Sequence, residues 1–120
     1  MVVEQNTYTK IFKRNDQGKY VLFQTLKRNG GAQFAYAGAI TDDLEWVVFD
    51  VKMGFEVYKF NGNHFVFNQT VSTPFTVRHI AMAQDHKFLV VGSFGYEIYV
   101  YQHNGSQYNR VQSFSSSLSS

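Results

Sequence analysis

The chain has 120 residues and a formal net charge of +2; 44% of its residues are hydrophobic, 18% are aromatic, one is proline and none is cysteine. This composition is typical of one small globular domain with an aromatic core, and it excludes disulfides and thiolate metal sites. The small net charge gives no reason to expect a nucleic-acid partner, and the absence of an 18-residue apolar run excludes a membrane span. The start has no secretory signal, which together with the lack of cysteine favours a cytoplasmic location.

The first predicted elements are short strands within residues 2–26. Val2-Val3 and Ile11-Phe12 are apolar pairs, and a third apolar segment, "YVLFQTL", follows the turn sequence "NDQG". Asn, Asp and Gly favour turns because they accept backbone angles that other residues avoid. These residues form a partial copy of a unit that occurs twice more along the chain.

The two longer copies repeat with a period of 42–43 residues. One contains "TDD", "EWVVFD", "KMG", "FEVYKFNG" and "NQTV", and the other contains "QDH", "KFLVVGS", "SFG", "EIYVYQHNG" and "VQSF". Each copy predicts four short strands, and each Asn-Gly pair predicts a tight hairpin. In residues 55–60 and 98–101 apolar side chains occupy both alternating positions, which predicts sheets that are buried on both faces. Val47-Val48 and Val90-Val91 align with Val2-Val3 of the partial copy.

A four-stranded unit of 40–45 residues is typical of a β-propeller blade. The segments "QDHKFLVVGS" and "IYVYQHNGSQYNRVQSF" resemble the second, third and fourth strands of a WD-repeat-like blade. The chain has no Trp-Asp dipeptide and no Gly-His pair, so the buried polar network of that family is not carried over to any residue. The predicted fold class is all-β, with four-stranded antiparallel blades of the β-propeller type. We predict a partial blade over 1–26, blades over 27–71 and 72–114, and a disordered Ser-rich tail over 115–120.

Two and a half blades predict an incomplete propeller, because closed propellers have about four to eight blades. An uncovered blade exposes an aromatic patch that monomers rarely carry. We therefore expect a protein partner or further blades, supplied by other copies of this chain or by the rest of a longer chain. The resemblance implies a non-enzymatic scaffold for protein–protein interaction. The alternative is a carbohydrate-binding propeller, because exposed Tyr and Trp side chains stack on sugars.

Propellers bind partners through the loops at one end of the ring, between second and third strands and between successive blades. In this chain those loops are residues 27–33, 52–54, 72–75 and 94–96. The candidate binding residues in them are Lys27, Arg28, Lys52, Phe94 and Tyr96.

The sequence predicts no catalytic residue, no metal site and no cofactor, and we expect that the chain is not an enzyme. None of the four histidines lies two or four residues from another, so we interpret them as exposed or edge residues: His64, His79, His86 and His103. The acidic cluster of Asp42, Asp43 and Glu45 is interpreted as turn chemistry. Trp46 aligns with Phe88 and is interpreted as a core residue.

Overall fold

The computed structural model describes residues 2–4, 8–27, 37–41, 43–83 and 85–115, with only the backbone described for Val2–Glu4. Within these ranges the regular structure consists of eleven strands. Their bounds are β1 Val2–Glu4, β2 Tyr8–Arg14, β3 Tyr20–Lys27, β4 Gly38–Ile40, β5 Trp46–Val51, β6 Gly54–Phe60, β7 Phe65–Ser72, β8 His79–Met82, β9 Phe88–Gly92, β10 Ile98–His103 and β11 Tyr108–Phe114. None of the described residues belongs to a helix that could cross a membrane.

The strands form three antiparallel sheets, each built from strands that are consecutive in the chain. Their orders are β1-β2-β3, β4-β5-β6-β7 and β8-β9-β10-β11, and we call them the first, second and third blade. The predicted all-β class with four-stranded antiparallel blades is thereby confirmed. β3 extends to Lys27 and β7 to Ser72, each one residue past the predicted blade boundary. Arg28 and residues 116–120 of the predicted tail lie outside the described ranges.

The first blade has the register of the other two, and its described residues include three strands, with no counterpart of β4 and β8 among them. Val48 pairs with Val57, and Val90 pairs with Val100. Val2 pairs with Ile11, the residue that the repeat aligns with Val57. Val2, Val48 and Val90 are therefore equivalent, which corrects the alignment of Val2-Val3 with Val47-Val48 by one residue.

The hairpins β2–β3, β6–β7 and β10–β11 repeat one another in detail. A register shift follows Ile11, Val57 and Val100 in turn, so each blade carries an irregularity at the same place. Both predicted Asn-Gly turns are present, with φ angles of +105° at Gly62 and +102° at Gly105. Such angles favour glycine because its backbone meets no Cβ clash.

Apolar side chains fill the two spaces between the blades. The core between the first and second blades is formed by Ile11, Leu26, Val47, Phe49, Val51, Tyr58 and Phe65. The core between the second and third blades is formed by Trp46, Val48, Phe55, Val57, Phe75, Val77, Leu89, Val91, Tyr101 and Tyr108. All six residues of β5 are buried, so burial on both faces, as predicted, holds for the second blade. For residues 98–101 of the third blade this prediction does not hold, because Ile98 is exposed and only Tyr101 is buried. In β9, exposed and buried residues alternate from Phe88 to Val91.

Candidate functional site

The third blade leaves one apolar face uncovered among the described residues. This outer face of the third blade is formed by Phe88, Val90, Ile98 and Val100, since their sequence neighbours Leu89, Val91 and Tyr101 point into the core shared with the second blade. Phe88, Val90 and Ile98 are 45%, 37% and 41% exposed. The equivalent residues of the second blade, Trp46, Val48 and Phe55, are all buried against the third blade.

A groove of about 370 Å³ crosses this outer face at the end where β9 turns into β10. Its lining includes Ala81, Val90, Gly92, Phe94, Glu97 and Ile98. The guanidinium of Arg78 lies 5.3 Å from the centroid of the Phe94 ring, which is within the range of a cation–π contact. The groove therefore joins apolar blade surface to a rim that carries charge.

Two of the predicted binding residues lie in the turn beside this groove. Phe94 is 83% exposed and Tyr96 is also exposed. The turn is held by Ser93, whose hydroxyl donates to the Glu97 carboxylate at 2.6 Å and accepts the backbone N–H of Glu97 at 3.2 Å. The hydrogen bond from Ser93 lowers the pKa of Glu97, so Glu97 is a carboxylate at neutral pH.

The other predicted binding residues are dispersed over the chain. Lys52 is exposed in the turn between β5 and β6, and Lys27 is exposed at the end of β3. Strand order places both at the end of the blades that carries Phe94 and Tyr96. Arg28 lies outside the described residues. The role of these residues in binding stays a prediction.

Two glutamines bridge successive blades, one at each of the two interfaces, and our sequence analysis missed this feature. Gln24 of the first blade accepts the N–H of Phe65 at 2.7 Å and donates to its carbonyl at 2.9 Å. Gln69 of the second blade accepts the N–H of Tyr108 at 2.8 Å and donates to its carbonyl at 3.0 Å. Each amide thus satisfies the outward N–H and C=O of one residue on the edge strand of the next blade. We call this contact the glutamine bridge.

The glutamine bridges repeat because their residues occupy the same register in each blade. Gln24 pairs across its hairpin with Ile11, and Gln69 pairs with Val57. The signal was visible in the sequence as "FQTL" and "NQTV". What sequence comparison does not reveal is that this side chain crosses to the next blade.

Two of the histidines that we interpreted as exposed or edge residues are half-buried and come together at the opposite end of the third blade. His86 follows β8, and His103 ends β10, so both lie near turns at one end of the sheet. The His86 ring stacks on Trp46 with centroids 4.7 Å apart, and the His103 ring meets the same indole edge-on at 4.8 Å. The two imidazoles are 5.1 Å apart, and Tyr108 donates a hydrogen bond to the His86 carbonyl.

The environment of His103 favours its neutral form. Desolvation lowers its pKa, and the nearby His86 and Lys59 lower it further. Its Nδ1 accepts the N–H of Gly105 at 3.0 Å, which leaves the proton on Nε2. Nε2 is buried and has no hydrogen-bond partner in the described part of the chain. Within that part, no three His, Asp or Glu side chains gather in a way that could hold a metal ion.

Trp46 and the acidic cluster have structural roles. Trp46 is buried between two blades, which confirms its interpretation as a core residue and leaves it unable to stack on a sugar. Thr41 donates to the Asp43 carboxylate at 2.5 Å, and this bond lowers the pKa of Asp43. Asp43 also accepts the N–H of Glu45 at 3.0 Å, as expected of an acidic residue in a turn. Asp42 lies outside the described residues.

Solved structures share this architecture. A functionally unknown protein from Desulfotomaculum acetoxidans matches with a TM-score of 0.78 at 15% identity, over 95% of this chain and 38% of its own length. A putative 6-phosphogluconolactonase from Bacteroides fragilis matches with a TM-score of 0.76 at 13% identity, over 92% of this chain and 33% of its own. A putative 6-phosphogluconolactonase from Bacteroides uniformis matches with a TM-score of 0.68 at 7% identity, over 95% of this chain and 41% of its own. The chain thus spans between 33% and 41% of each of these proteins.

These matches support a propeller-type fold and correct two expectations. No protein-family model matches the sequence, and no curated protein matches it, so the resemblance to WD repeats is not shown. The expectation that the chain is not an enzyme is contradicted, because two of the matched structures are putative 6-phosphogluconolactonases. A propeller-type fold is therefore no argument against catalysis. At these identities the likeness shows the fold alone.

Proposed function

We propose that this chain is a three-blade propeller segment that works by protein–protein interaction, and that the outer face of the third blade binds another blade. One observation carries the proposal: Phe88, Val90 and Ile98 are exposed, whereas their equivalents in the second blade are buried under a neighbouring blade. The partner is thus a sheet with an apolar inward face, like the face that Leu89 and Tyr101 present to the second blade.

The chemistry of the outer face supports this proposal. Repeat proteins that end in solvent carry polar residues on the outer face of the last repeat. The third blade instead keeps aromatic and aliphatic residues at these positions. The groove rim with Phe94 and Tyr96 extends the same surface, and exposed aromatic residues are typical of binding surfaces.

The proposal is tested by giving the third blade a neighbour. A second copy of residues 72–114 is appended to the chain, so that the appended blade can cover Val90 as the third blade covers Val48. Burial of several apolar side chains should stabilise the chain by several kcal/mol, at about 25 cal/mol per Å² of apolar surface removed from water. The measurement is the urea midpoint of the original blades, followed by Trp46 fluorescence at low protein concentration.

A charge at the centre of the face provides the control. Val90→Asp should remove the gain in the extended chain, because an unpaired carboxylate is costly to bury. In the original chain Val90 is partly exposed, and the same change should alter the midpoint little. An extended chain with the midpoint of the original chain would refute the proposal.

A second candidate function is hydrolysis of a phosphorylated sugar lactone by the assembled propeller. Its support is the match to two putative 6-phosphogluconolactonases, at TM-scores of 0.76 and 0.68. The test adds 6-phosphogluconolactone to the chain and to its blade-extended form and follows acid release at constant pH. A rate above that of spontaneous hydrolysis in buffer supports this candidate, and a rate equal to it rejects the candidate for the forms tested.

A further inference from the structure

We propose that the blade bound by the outer face of the third blade is the first blade of a second copy, and that Gln112 forms a third glutamine bridge to the backbone of Tyr20 in that copy. This proposal rests on the proposed function, because it names the partner of the same surface. The register of Gln112, the register of Tyr20, and the apolar residues and charges of the two faces support it.

Gln112 occupies the position of the two bridging glutamines. It pairs across its hairpin with Val100, as Gln24 pairs with Ile11 and Gln69 with Val57. Its side chain therefore extends from the fourth strand on the side of the outer face. Gln112 is exposed, and its amide has no hydrogen-bond partner in the described part of the chain. The third blade thus carries the glutamine of a bridge without the blade that it would bind.

Tyr20 occupies the position of the residues that receive a bridge. It pairs with Arg14, as Phe65 pairs with Phe60 and Tyr108 with His103. In each hairpin, one backbone hydrogen bond joins the two residues that flank the turn. In the first blade the N–H of Asn15 donates to the carbonyl of Lys19 at 2.7 Å. This pattern leaves the N–H and C=O of Tyr20 facing outward from the edge strand, as those of Phe65 face Gln24. The first blade thus carries the receiving group without its glutamine.

The outer face of the first blade is apolar, like the outer face of the third blade, so the two can pack together. The first-blade face is formed by Phe12, Tyr20 and Leu22, and the last two are each 53% exposed. Phe12 is equivalent to Tyr101, whose ring meets Phe55 at 5.0 Å across the existing interface. The equivalent contact in the proposed interface joins Phe12 to Ile98.

The charges at one end of the two faces are also complementary. Lys10 lies on the outer face of the first blade, two residues before Phe12. Glu97 lies directly before Ile98 at the rim of the groove. The same register that joins Phe12 to Ile98 brings this lysine and this carboxylate to the same end of the interface, where opposite charges favour this orientation over its reverse.

The stoichiometry follows from the blade number. Because the two faces differ, the contact is head-to-tail, and such contacts either close into rings or extend into fibres. Two copies supply six blades and three copies supply nine, whereas closed propellers have about four to eight. We therefore expect a ring of two copies.

The test is the mass of the 120-residue chain in solution, measured by light scattering after size exclusion. The expected mass is twice 13.8 kDa. Val90→Asp disables the third-blade face, and Tyr20→Asp disables the first-blade face, so each variant alone should be a monomer. A mixture of the two should form a dimer, because one chain keeps the face that the other has lost. Far-UV circular dichroism checks whether both variants remain folded.

The glutamine bridge has its own control in the same hairpin. Gln112→Ala removes two bridges from the ring, so we expect the dissociation constant to rise about a hundredfold or more. Gln107→Ala changes an exposed glutamine of the β10–β11 turn and should leave the dissociation constant unchanged. Equal effects of the two substitutions would overturn the role of Gln112.

The outcomes separate this proposal from the one on which it rests. A wild-type chain that stays monomeric at all concentrations, or a mixture of the two Asp variants that stays monomeric, would overturn pairing with a second copy. If an appended blade still raises the urea midpoint in that case, the face binds blades, and only the second-copy partner is wrong. If the appended blade has no effect either, both proposals fail.

Discussion

The glutamine bridge between the second and third blades provides the sharpest test of how this chain is held together. Gln69→Met keeps the length and most of the volume of the side chain but removes its donor and its acceptor. The N–H and C=O of Tyr108 then lose their partners at 2.8 Å and 3.0 Å. Since the thioether still covers the strand edge, water does not readily replace the amide.

The expected loss of stability follows from these two bonds. Each hydrogen bond contributes about 0.5–1.5 kcal/mol net, and a buried group left without a partner costs about 1–3 kcal/mol. Tyr108 is buried, so the loss should be about 2–4 kcal/mol. With a urea dependence of about 1–2 kcal/mol per M for a chain of this size, the unfolding midpoint should fall by about 1 M or more.

The assay is equilibrium unfolding in urea followed by Trp46 fluorescence, with all variants in a Val90→Asp background so that association does not contribute. Gln107→Met is the matched control, because this exposed side chain makes no bridge, and its midpoint should stay within error of the parent. A Gln69→Met midpoint equal to that of Gln107→Met would refute the view that the glutamine bridge stabilises the blade interface.

Three further predictions concern single residues. In the Val90→Asp background, Trp46→Ala should cost about 3–5 kcal/mol of stability because the indole fills the core between two blades. Phe88→Ala at the exposed equivalent position should cost less than half of this, and urea unfolding followed by circular dichroism compares the two variants. The pKa of His103 is lowered in the fold from its ordinary value of 6.5, so the unfolded chain binds more protons near that pH. The stability associated with His103 is therefore complete above pH 6.5 and falls as the pH decreases below it; His103→Phe, the residue type at this position in the second blade, should flatten urea midpoints between pH 5 and 7. Gly62→Ala should destabilise the chain by about 1 kcal/mol or more because φ is +105° there, and Gly95→Ala, where Cβ meets only ordinary contacts, should change thermal unfolding little.

The parts of the fold that were predictable from sequence are those that repeat locally. Strand alternation and the Asn-Gly turns depend on residues within a few positions of one another, and the turn at Gly62 follows directly from "NG". The equivalence of residues in the pairs β5–β6 and β9–β10 was harder to predict, because apolar pairs such as Val47-Val48 look alike when shifted by one residue. Hydrogen-bond pairing, and not hydrophobicity, decided that Val48 is the equivalent of Val90.

The parts that were not predictable depend on contacts between blades. Gln69 repeats Gln24 in the sequence, but a polar residue on an edge strand is indistinguishable from a solvated one until the next strand edge is positioned beside it. His86 and His103 are 17 positions apart, and Trp46, on which both pack, belongs to another blade. Spacing rules for helices and strands do not detect such a cluster, because it is formed by the ends of the sheets and not by one strand.

The exposed outer face of the third blade carries nearly the same types of residue as the equivalent buried face of the second blade. This similarity is the strongest reason to expect a partner. A blade whose outer face stays in solvent is expected to carry polar residues on that face, because those positions gain nothing from burial and a large exposed apolar patch is rare in monomers. From the second to the third blade, Trp46 becomes Phe88, Val48 stays valine at position 90, and Phe55 becomes Ile98. None of these changes introduces a polar group, and the bridging glutamine is kept as well. A surface that retains both the apolar residues and the hydrogen-bonding side chain of a covered interface has the chemistry of a surface that is covered when the protein functions.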